Sequence, residues 1–302
     1  MDSIIRRIYE IGIVPVIALD DPDQAVPLAK ALAAGGLPAA EVTFRTDAAE
    51  EAIRRIAEQV PGMLVGAGTV LTKDQVDRAL AAGSQFLVSP GFNPEVTRYA
   101  LSRGARMIPG TATPSEMEQA MSLGLKVVKF FPAEQNGGAA MLRAMAGPYR
   151  DLMWMPTGGI NAKNLNDYLC FDRVLACGGT WMVKKDLIEA GRFDEVERLA
   201  RQAVDTMLGF ELGGLALRQA AEADQLDGLL RRGFDLETAP RYARGTKGQL
   251  TVKTNSVDRA AAHLLARGYA LDESSRVERK GRAVSVWLAA EYGGFAVQLV
   301  QK

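Results

Sequence analysis

The chain has 302 residues, enough for one barrel with additions or for a large and a small domain. Its 36 basic and 36 acidic residues cancel, so the charge pattern indicates neither a nucleic-acid partner nor a disordered acidic tail. The single histidine, His263, argues against a histidine-rich metal centre and against a Ser-His-Asp triad in the main domain. An enzyme built from this chain must move protons with carboxylates, lysine, hydroxyls or water.

The compartment is predicted from the start of the chain, its apolar runs and its cysteines. The first residues lack the cationic-then-apolar order of a signal peptide. No apolar stretch approaches the ~20 residues that a membrane-spanning helix needs. Cys170 and Cys177 are not spaced as a CxxC pair, and we interpret both as thiols in a reducing compartment. We therefore expect a soluble cytoplasmic protein.

From residue 13 to about residue 209, short apolar runs alternate with stretches of helical periodicity such as 74–82 and 114–123. The apolar runs predict strands over 13–19, 40–44, 64–69, 86–90, 106–110, 127–131, 152–156 and 174–177. Strands that alternate with helices indicate βαβ units and a parallel sheet. Eight such strands favour a closed (β/α)8 TIM barrel. An open dinucleotide-binding sheet is the alternative, although no GxGxxG motif follows the first strand.

Polar residues and glycines follow the predicted strands at their C-terminal ends, where barrel enzymes carry their chemistry. In chain order the motifs are Glu41-Val-Thr-Phe-Arg45, Gly66-Ala-Gly-Thr69, Ser89-Pro-Gly91, Pro109-Gly-Thr111, Lys129 with Pro132, Pro156-Thr-Gly-Gly159 and Gly178-Gly-Thr180. Packing alone does not explain why polar residues recur at the C-terminal ends of successive predicted strands.

Lys129 stands in a run, Lys126-Val-Val-Lys-Phe-Phe-Pro-Ala133, where a buried strand should carry apolar residues. The period of a strand places Val127, Lys129 and Phe131 on one face. Burial disfavours a charged ammonium, and a neutral amine is the form that attacks a ketone to make a Schiff base. The alternative is a structural lysine whose stem packs while its head reaches water. The polar rim around it favours the Schiff base.

Glu41, Thr43 and Arg45 share a strand face by the same period and are expected to point together into the barrel mouth. Glu41 is a candidate for moving a proton to and from carbon or a substrate hydroxyl, because no histidine competes for this role. Arg45 can hold a carboxylate or phosphate with two hydrogen bonds. The alternative is a simple ion pair between Glu41 and Arg45.

Two glycine pairs, Gly158-Gly159 and Gly178-Gly179, end the seventh and eighth predicted strands. Barrels often bind phosphate with these loops, and glycines let backbone N–H groups approach an anion. Thr180 offers a hydroxyl beside them. Phe131 is expected to wall the substrate and Thr157 to bind a carboxylate. The alternative for the glycine pairs is that they form only tight turns. The alternative for Thr157 is an inward-facing threonine whose hydroxyl has a hydrogen-bond partner within the protein.

The chain resembles the class I 2-keto-3-deoxy-6-phosphogluconate (KDPG) aldolases, also called bifunctional 2-keto-4-hydroxyglutarate (KHG) aldolases, over about residues 5–210. The motifs that carry the resemblance are Glu-Val-Thr-Phe-Arg, Gly-Ala-Gly-Thr-Val, Ser-Pro-Gly, Lys-Phe-Phe-Pro-Ala-Glu, Pro-Thr-Gly-Gly-Ile and Gly-Gly-Thr-Trp. The resemblance implies that Lys129 forms an imine with pyruvate without a metal or other cofactor, and that Glu41 shuttles protons. It further implies a substrate site of Arg45, Thr69, Pro90, Phe131 and Thr157, and a phosphate site of Gly158, Gly159, Gly179 and Thr180. A homotrimer is also implied.

The implied reaction is cleavage of KDPG to pyruvate and glyceraldehyde 3-phosphate, and also of 4-hydroxy-2-oxoglutarate to pyruvate and glyoxylate. The residues leave open a sugar-phosphate epimerase or isomerase without an imine, and a non-catalytic sensor of sugar acids. An isomerase would leave Lys129 without a purpose, and a sensor is expected to lack the pair of Lys129 and Glu41. The sequence does not fix the preference between the two substrates or the configuration at C4.

The chain beyond the barrel is predicted to add a small domain. We expect a barrel domain over 1–212, a connector over 213–245 with a helix at 215–230, and a small α+β domain of order βαβββ over 246–302. This last unit resembles one module of the glyoxalase type. His263 lies on its predicted helix and is not expected to bind a metal. A role in packing, oligomerisation or ligand sensing is predicted for the unit.

Overall fold

The computed structural model describes residues 2–218, 232 and 244–302. The chain forms two compact units, Met1–Met207 and Leu208–Lys302. The first alternates parallel strands with helices, and the second is a mixed sheet with a helix. The division falls before the position predicted from the sequence, because a strand of the second sheet begins within the predicted barrel domain.

The N-terminal unit confirms the predicted α/β class. Its strands are β1 Ile13–Ile17, β2 Ala39–Thr43, β3 Leu64–Gly68, β4 Phe86–Val88, β5 Met107–Ile108, β6 Gly110–Thr111, β7 Val127–Phe130, β8 Met153–Pro156 and β9 Cys177–Gly179. Its helices are α1 Ser3–Ile11, α2 Ala25–Ala34, α3 Ala49–Gln59, α4 Lys73–Ala81, α5 Pro94–Ser102, α6 Pro114–Ser122, α7 Gly138–Ala146, α8 Leu165–Leu169, α9 Lys185–Glu189 and α10 Phe193–Leu208.

The parallel strands form a curled sheet in two hydrogen-bonded pieces, β5-β4-β3-β2-β1-β9 and β6-β7-β8. β5 and β6 correspond to one predicted strand, which Pro109 interrupts because proline has no N–H to donate to a ladder. Two isolated bridges connect the region of β8 with the region of β9. Trp154 of β8 pairs with Val174, which precedes β9, and Thr157, which follows β8, pairs with Gly178 of β9. The C-terminal ends of neighbouring strands therefore lie at one edge of the curled sheet.

Apolar side chains fill the interior near the starts of the strands. Helix α1 contributes to this cluster, and it begins where the Asp2 carboxylate accepts a hydrogen bond of 2.9 Å from the backbone N–H of Ile4. It ends at Gly12, whose φ of 74° is a left-handed conformation that glycine adopts without strain. The buried members are Ile8, Tyr9, Val14, Ala39, Leu64, Phe86, Val88, Ile108, Val127, Met155, Leu175 and Ala176. Burying this end leaves the opposite strand ends for polar residues.

Helix α6 follows β6 and begins with a reciprocal cap. The Glu116 carboxylate accepts hydrogen bonds from the backbone N–H of Ala112 at 2.8 Å, and from the N–H and hydroxyl of Thr113, each at 2.9 Å. Partial burial alone raises the pKa of Glu116, but these hydrogen bonds to the ionised form outweigh it and hold the pKa below its ordinary value. The cap thus fixes where the helix begins after the strand.

We expect Glu116→Gln to lower the free energy of unfolding by about 1 kcal/mol at neutral pH, the usual size of a helix-cap contribution. The folded pKa of Glu116 lies below its ordinary value of 4.5. The contribution is therefore complete above that value and is lost as the pH falls through the folded pKa. Urea unfolding of both proteins, from neutral pH downward, measures the difference. A difference that stays constant into the acid range would contradict this origin.

The C-terminal unit is a five-stranded sheet of order β10-β11-β14-β13-β12. Its elements are β10 Glu211–Leu217, β11 Gly248–Thr254, α11 Val257–Ala266, β12 Leu271–Arg279, β13 Arg282–Tyr292 and β14 Phe295–Gln301. β11 runs parallel to β14, and the other neighbours are antiparallel. The elements from residue 248 onward follow the order βαβββ, with β10 added before them.

The predicted helix at 215–230 is wrong at its start. Residues 215–217 belong to β10, which pairs antiparallel with β11, while residues 219–230 lie outside the described residues. The ladder with β11 satisfies the backbone of residues 215–217 in place of helical hydrogen bonds. The helix predicted within the small C-terminal domain is observed as α11, and it carries His263.

Candidate active site

Lys129 and Glu41 form a buried ion pair. Lys129 lies on β7 and Glu41 on β2, and the distance from Lys129 Nζ to Glu41 Oε1 is 3.3 Å. The lysine side chain is 6% exposed and the glutamate side chain 1%. Removing two charges from water is costly, and each is held in place here by its strand. The structure thus brings the predicted nucleophile and the predicted proton carrier together.

Two buried polar atoms of predicted site residues, Glu41 Oε2 and Thr157 Oγ1, have no hydrogen-bond partner among the described residues. Buried polar atoms without partners are rare and costly, so we expect a water or a substrate group to satisfy them. The alternative of an internally satisfied Thr157 is therefore not supported. The Phe131 ring centroid lies 5.1 Å from Lys129 Nζ, as expected for a wall beside the amine.

Arg45 lies beyond the strand on which the sequence prediction placed it. β2 ends at Thr43, and the N–H of Arg45 donates to the Thr43 carbonyl at 2.7 Å in a turn. The Thr43 hydroxyl donates to the carbonyl of Ile17 at 2.9 Å and so serves the sheet. Glu41 pairs with Lys129, so the alternative of an ion pair between Glu41 and Arg45 is wrong. The Arg45 side chain is exposed.

A cavity of about 440 Å³ brings Arg45 together with Thr180. It lies at the C-terminal ends of β1 and β2 and in the loop after β9. Lys184 and Lys185 also line it, and Lys185 donates to Asp20 at 2.7 Å. The cationic lining suits an anionic ligand group. Sequence reasoning missed Lys184, although the Lys-Lys pair soon after the Gly-Gly-Thr-Trp motif could have signalled it.

The glycines predicted to bind phosphate occupy tight positions. Gly158 and Gly159 have φ values of 101° and 79°, which other residues rarely adopt. A Cβ on Gly158 would lie 3.1 Å from Cα of Pro132, and one on Gly179 would overlap the Trp181 ring. Backbone without side chains lets N–H groups approach an anion closely. The tight-turn alternative and the phosphate interpretation are therefore compatible.

Thr69 and Pro90 follow the ends of β3 and β4, and both are half-buried. Thr69 has a φ of 57°, an uncommon conformation for a residue other than glycine. Pro90 lines a second cavity of about 380 Å³ whose lining does not include Lys129 or Glu41. The structure thus places these two residues after strand ends at the predicted edge of the sheet.

The part of the chain that the structure describes holds no group of three or more His, Cys, Asp and Glu residues suited to bind a metal ion. Within that same part, no helix combines the length and apolarity required to span a membrane.

Comparison with known proteins identifies the family. The family model described as "KDPG and KHG aldolase" matches residues 4–199. The chain belongs to the KDPG/KHG aldolase family. It is therefore an aldolase, a carbon–carbon lyase, which decides among the functions that the residues had left open. The match ends before the C-terminal unit begins.

Individual relatives agree with this assignment. The chain is 48% identical over 204 residues to a 2-dehydro-3-deoxy-phosphogluconate aldolase of Treponema pallidum, which covers 68% of this chain and 97% of the relative. A crystal structure of the Zymomonas mobilis ZM4 KDPG aldolase with 3-phosphoglycerate has a TM-score of 0.62 and 39% identity, covering 66% of this chain and 94% of that one. The Legionella pneumophila KDPG aldolase, with pyruvate captured as a covalent carbinolamine, has a TM-score of 0.64 and 36% identity, covering 66% and 97%.

Proposed function

We propose that this aldolase cleaves KDPG to pyruvate and glyceraldehyde 3-phosphate through an imine on Lys129. The observation that carries the proposal is the buried pair of Lys129 Nζ on β7 and Glu41 Oε1 on β2, which lie 3.3 Å apart. A lysine held beside a carboxylate can lose a proton to it and attack a ketone. The covalent pyruvate adduct of the Legionella relative supports the same chemistry here.

In the proposed reaction the Lys129 amine adds to the C2 ketone and gives a carbinolamine, which loses water to form a protonated imine. Glu41, through one water, takes the proton of the C4 hydroxyl. The C3–C4 bond then breaks, its electron pair passes into the imine, and glyceraldehyde 3-phosphate leaves. The resulting enamine takes a proton at C3, and water hydrolyses the imine to release pyruvate. The imine is the electron sink, so the proposal requires no metal or other cofactor.

The unpaired Oε2 of Glu41 and Oγ1 of Thr157 are the atoms we assign to this proton transfer and to the substrate carboxylate, respectively. Arg45 would pair with an anionic end of the substrate, and Phe131 would wall the reacting carbons beside Lys129. We assign Thr69 and Pro90 to the outer lining. These roles agree with the family resemblance and with the positions of the residues at one edge of the sheet.

The phosphate is proposed to bind backbone N–H groups at Gly158, Gly159 and Gly179, with the Thr180 hydroxyl and the nearby Lys184 ammonium adding to them. The left-handed turn at Gly158 and Gly159 supports this assignment, as does the cationic cavity that contains Thr180 and Lys184. The 3-phosphoglycerate in the Zymomonas structure shows that a relative binds a phosphorylated three-carbon acid.

Thr180→Val should lower kcat/KM for KDPG about 10-fold, because a hydrogen bond to a charged group contributes ~1.5 kcal/mol or more. Cleavage of 4-hydroxy-2-oxoglutarate, which has no phosphate, should be unchanged by the same substitution. Steady-state kinetics on both substrates measure the two effects. Equal losses on both substrates would show that Thr180 does not contact phosphate.

The KHG activity is a second proposal, and the family description supports it. The Lys129 and Glu41 chemistry needs only a 2-keto acid with a hydroxyl at C4, so a substrate without a phosphate can also be cleaved. Incubation with each substrate and with the C4 epimer of KDPG, followed by measurement of pyruvate and aldehyde, tests both proposals. Pyruvate and glyceraldehyde 3-phosphate in equal amounts are expected from KDPG. Isomerised substrate without pyruvate would contradict the aldolase.

We also propose that the parallel strands close into an eight-stranded (β/α)8 barrel. The ladder of β1 with β9, the bridges between β8 and the β9 region, and the single-residue gap at Pro109 between β5 and β6 support closure. A homotrimer remains a proposal from the family resemblance. Sedimentation or light scattering of the full chain would test it.

A further inference from the structure

Gly68, the last residue of β3, lies against the carboxylate of Glu41. It pairs with Thr43 of the neighbouring strand, two residues after Glu41. A Cβ on Gly68 would overlap Oε1 of Glu41 and would lie 2.7 Å from its Cγ and 2.9 Å from its Cδ. We propose that Gly68 is a positioning residue, whose missing side chain is the space that the Glu41 carboxylate occupies. The inference rests on the proposed role of Glu41.

The carboxylate of Glu41 is buried where it meets Lys129. Its side chain is 1% exposed, and Oε1, the atom that a Cβ would displace, is the atom 3.3 Å from Lys129 Nζ. A side chain at position 68 would therefore separate the proton carrier from the amine. A displacement of about 1 Å at a reacting group can cost ~100-fold in rate.

The same arrangement recurs in the curled sheet, which argues that these glycines make room for particular neighbours. Gly66 lies on the same face of β3, two residues earlier, and a Cβ there would overlap the ring of Phe86. Gly178 on β9 stands against Thr157, whose Oγ1 a Cβ would overlap. Gly66 thus faces an apolar ring of the core, whereas Gly68 faces the reacting carboxylate.

A double-mutant cycle between position 68 and position 41 tests the proposal. Gly68→Ala is expected to lower kcat for KDPG about 100-fold, with a smaller change in KM. Glu41→Asp alone also lowers kcat, because it withdraws the carboxylate. The double variant is expected to lose less activity than the product of the two single losses, because aspartate lacks the Oε1 that the new Cβ overlaps and only its Cγ remains near position 68. Such coupling is the signature of direct contact.

Gly66→Ala is the matched control, because it adds the same atom to the same face but against Phe86. In that background the losses of Gly66→Ala and Glu41→Asp should multiply, because position 66 does not face Glu41. Losses that multiply independently in the cycle of Gly68→Ala with Glu41→Asp would overturn the proposal. If Gly68→Ala is too unstable to assay, the cycle is followed in the melting temperature. The two decreases in melting temperature are expected to sum to more than the decrease in the double variant only with Gly68→Ala, and simple additivity there would again overturn the proposal.

Failure of this inference is distinguishable from failure of the proposed function. Full activity of Glu41→Gln would refute the role of Glu41 itself. An inactive Glu41→Gln together with independent losses in the cycle would refute only the positioning role of Gly68.

Discussion

Lys129→Met should abolish KDPG cleavage, with a loss on the order of 10⁴-fold or more, because removal of a covalent nucleophile can cost about 10⁶-fold. Methionine keeps an apolar stem of similar length but has no amine to form the imine. It also leaves the Glu41 carboxylate, buried with 1% of its side chain exposed, without its cation. Removing one partner of a buried pair typically costs 3–5 kcal/mol of stability. The assay therefore needs a temperature well below the melting point of the variant.

Lys126→Met is the control for this substitution. Lys126 precedes β7 and is exposed, so its replacement removes an amine from nearly the same segment without touching the ion pair. Coupled measurement of pyruvate release should show wild-type rates for Lys126→Met and no turnover for Lys129→Met. Substantial cleavage by a folded Lys129→Met protein would mean that another group activates the ketone.

Glu41→Gln should lower kcat by about 10²- to 10⁴-fold, the range that a positioned general acid–base contributes. Glutamine has the same shape as glutamate but cannot take the C4 hydroxyl proton. Its neutral amide also leaves Lys129 without a carboxylate 3.3 Å away. Because the amine itself is retained, pyruvate should still be trapped on Lys129. In this variant the cleavage of KDPG is therefore lost while the formation of the pyruvate adduct is retained.

Glu58→Gln serves as the control carboxylate, because Glu58 lies exposed on α3. It should leave both kcat and trapping unchanged. If Glu41→Gln turned over KDPG at the rate of the control, proton transfer would have to pass through water or another residue.

The alternation of short apolar runs with helical stretches predicted most of the N-terminal unit, because a parallel sheet requires that pattern. Lys129 was identifiable because a charged residue in a buried strand is unusual. The two-residue period of a strand wrongly placed Arg45 on the same strand face as Glu41, because β2 ends at Thr43 and the backbone turns there. It also failed to show the break at Pro109, because a proline inside an apolar run changes the ladder rather than the hydropathy.

Side-chain contacts between strands could not be predicted from the sequence. Gly68 belongs to a motif that the sequence analysis singled out, yet its contact with Glu41 depends on the register between β2 and β3. The last residues of β10 were predicted to be helical because Leu215–Leu217 suit either a helix or a strand, and only the pairing with β11 decides between them. Lys184 was missed for a similar reason, since its cavity is assembled from separate loops.

Reduction with borohydride in the presence of pyruvate, followed by peptide mass spectrometry, tests the central claim most directly. Borohydride converts an imine into a stable secondary amine, so the modified lysine keeps the pyruvate carbons. We predict a single adduct on the peptide that contains Lys129, present in Glu41→Gln and absent in Lys129→Met. No adduct with the folded protein at saturating pyruvate, or an adduct on a different lysine, would contradict the proposed mechanism.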